Sequence, residues 1–104
     1  MASIKLKKGV RVSIDRDQTT GMNYLSLEHD EEKELPMEIG EIIEPEHVLE
    51  VVESYLVYNQ IIYSPNKVKN RIASLLRSAI RESGVEDVKT FDTKILKWQR
   101  TKRK

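Results

Sequence analysis

The apolar residues of this 104-residue chain change their period once, and that change restricts the fold more than any other feature. Up to about residue 40 they alternate, and beyond Pro45 they recur every three or four positions. Alternation is the period of a strand with one buried face; spacing by three and four is the stripe of an amphipathic helix. Strands gathered at one end and helices at the other predict an α+β domain.

Ile4, Leu6, Val10, Val12 and Ile14 all hold even positions, with Lys5, Lys7, Arg11 and Ser13 on odd ones. Only Lys8 and Gly9 interrupt them, so the segment reads as one half-buried strand with a basic wet face and a bulge at Gly9. Asp15 to Gly21 is a polar turn. Met22 to His29 is a second strand, with Leu25 and Leu27 on one face and Tyr24 and Ser26 on the other. After a turn at residues 30–33, Leu35, Met37 and Ile39 alternate again, and Pro36 confines that strand to an edge. The expected sheet is a three-stranded antiparallel meander.

Pro45 suits the first position of a helix, here expected to run to about Tyr63. Val48, Val51, Val52, Tyr55, Leu56, Asn59 and Ile62 form its inner face, opposite Glu46, Glu50, Glu53 and Gln60. Val57 and Ile61 fall on the acidic side, so the last turns are apolar nearly all round. Either the C-terminal segment covers them, or Val57, Tyr58 and Ile61 form an oligomer interface. Ser64-Pro65 and Ser83-Gly84 bound a second helix, striped by Val68, Ile72, Leu75, Leu76, Ala79 and Ile80. A residue or two between these helices implies an antiparallel hairpin packed on the meander. Val88, Phe91, Ile95 and Trp98 suit a third helix, with a strand over Val88–Phe91 as the alternative. Residues 1–98 then form one domain, and residues 99–104 a basic C-terminal tail.

Charge is segregated along the chain behind a net of +1. Residues 1–27 carry five basic and two acidic groups, net +3; residues 28–66 carry eleven acidic groups and Lys33, net −10; residues 67–104 carry twelve basic and four acidic, net +8. Blocks of opposite sign suggest a partner that reads charge, against the plainer reading of a solvated surface.

Several function classes find no support. There is no cysteine, hence no disulfide framework, no thiolate nucleophile and no thiolate-ligated zinc. His29, Asp30, Glu31, Glu32 and His47 lack any metal-ligand spacing, so no metal is expected. Asp15, Asp17 and Glu28 could gather a divalent cation, but turn chemistry explains Asp15 and Asp17 more simply. Without a phosphate loop or nucleophile elbow, the chain reads as a non-enzyme with no cofactor and no small-molecule substrate. It lacks an apolar leader and any run long enough to span a membrane. The cytoplasm, or a virion assembled there, is the expected location.

Two functions remain. One is nucleic-acid contact by a dimeric module, with Lys67, Arg71, Arg77 and Arg81 of the second helix on phosphates. Lys97, Arg100, Lys102 and Arg103 would then add salt-sensitive affinity, and Trp98 and Gln99 a base contact. The other is a homo-oligomeric structural or adaptor protein, of viral or plasmid type, assembling through complementary acidic and basic surfaces. A pI of about 7.9 is low for a dedicated nucleic-acid binder.

Overall fold

The alternating segment folds as an antiparallel sheet and the rest as three helices, the α+β arrangement that the change of period requires. The computed structural model describes residues 1–7, 9–84 and 87–101. Its strands are β1 (Ala2–Lys7), β2 (Val10–Arg16), β3 (Asn23–His29), β4 (Glu32–Lys33) and β5 (Met37–Gly40). The helices are α1 (Pro45–Tyr58), α2 (Pro65–Ser83) and α3 (Val88–Arg100). The sheet runs β1-β2-β3, and both β4 and β5 pair with β3, at opposite ends of it.

The first alternating run is two strands, not one. The chain reverses between Lys7 and Val10, which pair with each other, and Ile4 lies opposite Val12. From Ala2 to Lys5 even positions face even positions across the hairpin, and the register shifts only next to the turn, so the buried residues of both strands stay on even positions. That is why the reversal looks like a single strand. Gly9 is the turn residue, at φ +82°, and the bulge lies further back, between Lys5 and Lys7.

The third expected strand is shorter than its alternation implies. β5 pairs with β3 only over Asn23–Leu25, Leu35 and Met37 are exposed, and Ile39 alone of the three is buried. Asn23, buried at the other side of this joint, donates from Nδ2 to the carbonyls of Gly40 (3.0 Å) and Glu41 (3.1 Å). The amide thus ties down the segment that leaves the sheet for α1.

α1 ends at Tyr58, five residues before the expected stop. The Gln60 amide donates to Val57 O (3.0 Å) and the Ile61 amide to Leu56 O (2.9 Å), with Gln60 at φ +58°. These are the two reversed bonds of a Schellman stop, here built on glutamine instead of glycine. Its hydrophobic partner is Ile61, which packs on the core, whereas Ile62, expected on the inner face, is exposed. Residues 59–64 therefore separate the helices, a longer connection than the residue or two expected, and α1 and α2 still pack on each other.

α2 keeps its expected bounds, from Pro65 at its first turn to Gly84 in the left-handed conformation at its end. Residues 88–98 are helix, not strand. Asp87 caps α3, its Oδ1 accepting from the Lys89 amide at 3.1 Å and its Oδ2 from the Thr90 hydroxyl. α3 continues through Gln99 and Arg100, the first residues of the expected tail.

All the inward positions of β1–β3 are even in β1 and β2 and odd in β3, and the helices cover that one face. α2 lies over β1 and β2, α1 over β3, and α3 against α2. Val12, Val48, Leu49, Val52, Leu56, Ile72, Leu76 and Ile95 are sealed from solvent between these layers. Asp92 of α3 meets Arg77 and Arg81 of α2, and Gln99 meets Asn70, so α2 and α3 run antiparallel.

Candidate functional site

The expected basic face of α2 divides into two groups with different surroundings. Lys67 and Arg71 are exposed and, among the described residues, have no ionic partner. They line a groove of about 810 Å³ between α2 and the edge strand β1, floored by Ile4, Leu6 and Val68. Lys7 reaches the same groove from β1, and its ammonium donates to the Ile62 carbonyl. Among the described residues, no carboxylate lines this groove. Lys7 was not among the residues expected there; only the register of β1 against α2 brings it across.

Arg77 and Arg81 instead turn to α3. Arg77 donates from Nη2 to Gln99 Oε1 at 2.9 Å, and its Nε lies 3.8 Å from Asp92 Oδ1. Arg81 Nη2 is 3.7 Å from Asp92 Oδ2. On a helical wheel Arg77 and Arg81 lie on the flank that faces α3, and Lys67 and Arg71 on the flank that faces β1. One stripe of four cations in sequence is thus a structural pair and an open pair in space.

Trp98 and Gln99 are engaged as well. The indole Nε1 donates to Glu46 Oε2 of α1 at 2.8 Å, and Gln99 bridges Arg77 and Asn70. Both side chains are half-buried and already engaged within the chain. Lys97 and Arg100 are exposed on α3, away from the α2–β1 groove's lining. Lys102 and Arg103 lie outside the described residues.

Lys69 was overlooked, although its place was legible. It leads the series Lys69, Ala73, Leu76, Ile80 at helical spacing, all of which are buried. The side chain is 3% exposed. Its ammonium donates to the Thr101 carbonyl at the end of α3 and lies 5.0 Å from the centre of the Trp98 ring. A cation at a helix C-terminus and over an indole face is stabilised by both.

Acidic groups collect at the opposite edge of the sheet. Burial first, and then the charges of Glu34, Glu32, Asp30 and Glu28, push the Tyr55 phenol above its ordinary value. Carboxylates from β3 to the segment before β5 thus act on Tyr55 through space, with Glu34 beside it. Glu50 adds to them from α1 itself, beside a hollow of about 710 Å³ bounded by Leu35, Met37, Val51 and Tyr58. Of the three expected interface residues, Val57 and Tyr58 are 64% and 84% exposed, while Ile61 is half-buried against the chain's own core. The segregation by sequence is thus partly a segregation in space, with the β1–α2 side basic and the β3–α1 side acidic.

The turn chemistry of the expected acidic cluster is also in place. Asp17 Oδ1 accepts from the amides of Thr19 (2.8 Å) and Thr20 (3.3 Å), which closes the β2–β3 turn. Among the described residues, no group of three His, Asp or Glu side chains is placed to hold a metal ion. No helix among them is long and apolar enough to cross a membrane. The fold and this surface define a small α+β domain with two charged faces of opposite sign. The chain matches no family model, no curated protein and no solved structure.

Proposed function

We propose that this chain is a non-catalytic module that holds nucleic-acid phosphates in the groove between β1 and α2. What supports the reading is one observation: Lys7, Lys67 and Arg71 converge on a groove that no carboxylate of the described residues lines. Two of these cations stand on a helix and one on an edge strand, so the backbone that carries them needs no ordering when a phosphate arrives. Cations that neutralise phosphates release counterions, which makes affinity fall steeply with salt. Arg77 and Arg81 serve the α2–α3 contact in this reading, not the ligand. A cysteine-free chain suits the reducing cytoplasm.

The test is fluorescence anisotropy with a labelled duplex over a salt series. Lys67→Glu/Arg71→Glu should lose more than about tenfold in affinity, and flatten the log–log salt slope by about 1.8, from roughly 0.9 per phosphate contact. Wild-type binding without salt dependence, or a double variant that binds as wild type, refutes the reading.

A second reading, self-association, is favoured by the exposure of Val57 and Tyr58 beside acidic residues. Contiguous exposed apolar side chains rimmed by charge mark protein interfaces more often than solvated surface.

A further inference from the structure

We infer that the groove between β1 and α2 takes its nucleic acid as a single strand, with an unpaired base on the apolar floor beside the phosphates. This rests on the phosphate reading of the same groove and names the form of its ligand.

The groove follows two antiparallel elements. The Met1 ammonium lies 3.1 Å from Glu82 Oε2 where β1 begins and α2 ends, and Lys7 donates to the Ile62 carbonyl just ahead of α2. Lys67, Arg71 and Ser74 stand at i, i+4 and i+7 on the flank of α2, and all three are exposed. Lys7 is exposed too, and its ammonium has three donors, of which the Ile62 carbonyl takes one. The cations therefore stand at the rim.

The floor has another chemistry. Ile4 and Leu6 are half-buried, packed on the core from β1, and Val68, 4% exposed, completes the floor from α2. Tyr63 lines the same groove, with its hydroxyl held by Glu53 Oε2 at 3.2 Å. A duplex resting on the rim cations would turn sugar and phosphate toward these side chains and leave their apolar surface wet. The face of an unpaired base covers them, and every base has such a face.

The backbone supplies the third set of contacts. β1 is the edge of the sheet, and among the described residues no strand pairs with its outer side. An edge strand presents unpaired N–H and C=O groups, and Asn70 and Ser74 line the groove from α2. In a duplex the pairing edges of the bases are taken by the opposite strand, whereas an unpaired base needs donors and acceptors of this kind. Lys5 and Lys7 disfavour the rival use of the edge, addition of a strand from another chain, because edge lysines block such pairing.

Two labelled oligomers of equal length and charge test the inference by anisotropy on the full chain, an oligothymidine of about 12 nucleotides and its abasic counterpart. Oligothymidine should bind about tenfold tighter at every salt concentration, with the same log–log slope, because a base contact releases no counterions. Ile4→Thr and Leu6→Ser, which make the floor polar, should each cut that ratio by about threefold or more and leave the slope unchanged. Lys67→Glu/Arg71→Glu should weaken both oligomers alike. An abasic strand bound as tightly as oligothymidine overturns the inference and leaves the phosphate reading standing. A base preference that both floor variants retain also overturns it. If neither oligomer nor a duplex binds, the phosphate reading itself falls. Circular dichroism checks that the variants are folded, and either floor variant serves should the other unfold.

Discussion

Replacing Arg77 with Met tests whether half of the basic stripe is architecture. The methionine keeps an unbranched apolar stem against α3 and deletes the guanidinium. The variant loses the 2.9 Å bond to Gln99, a hydrogen bond from a charged donor with a net value of about 1.5–3 kcal/mol. The ion pair to Asp92 spans 3.8 Å, too long for a hydrogen bond, between side chains 28% and 31% exposed. With solvent screening it adds no more than about 0.5 kcal/mol. Against these losses, Arg77 Nε is buried without a hydrogen-bond partner, and removing it returns about 1 kcal/mol. The balance is a destabilisation of about 0.5–2.5 kcal/mol, which at its midpoint of about 1.5 kcal/mol lowers the melting temperature by roughly 6–12 °C in a domain of this size. Thermal and urea denaturation followed by circular dichroism read it. Duplex affinity of the folded variant should stay within about threefold of wild type, since Lys7, Lys67 and Arg71 are untouched. Unchanged stability would refute the α2–α3 latch. A large loss of affinity at full stability would show that Arg77 faces the ligand.

Two further perturbations probe the sheet edge and the acidic face. Asn23→Ala removes two hydrogen bonds to Gly40 and Glu41, a loss of about 2 kcal/mol, and should speed amide exchange in β5 before that in β2. Asn23→Asp should cost more, because a carboxylate would face two carbonyl oxygens. The raised Tyr55 phenol favours the neutral form in the folded chain, so its share of stability is whole below pH 10.0 and is lost as pH climbs through the higher folded value. Tyr55→Phe should remove that part of the alkaline loss, together with one late-ionising phenol in an ultraviolet titration. Loss of a phenol that ionises at the ordinary value would instead disprove the acidic surroundings of α1.

What could be read from the chain before folding depended on whether each signal was local. The second helix was fully legible, because Pro65 and Gly84 act on their own backbone. The end of α1 was not, because Gln60 adopts a left-handed conformation that the sequence does not announce, and Ile61 makes the stop worthwhile only by reaching the core. The β1–β2 reversal was hidden by parity: a hairpin that pairs even with even residues away from its turn preserves the alternation of a continuous strand. The candidate site suffered from the same limit. Lys67 and Arg81 share one polar face in any wheel diagram, and only the docking of α3 decides that Arg81 turns to Asp92 while Lys67 stays open. Lys7 joins that site from sixty residues away, which no helical pattern could report.

The meeting of three helices at Trp98 has a practical consequence. Its indole nitrogen is held by α1 and its ring lies beside an ammonium of α2, while its own backbone belongs to α3. It is also the sole tryptophan of the chain. Emission from this one fluorophore would shift if any of the three helices left its neighbours, so the molecule carries a built-in optical gauge of its own tertiary assembly, with no label attached.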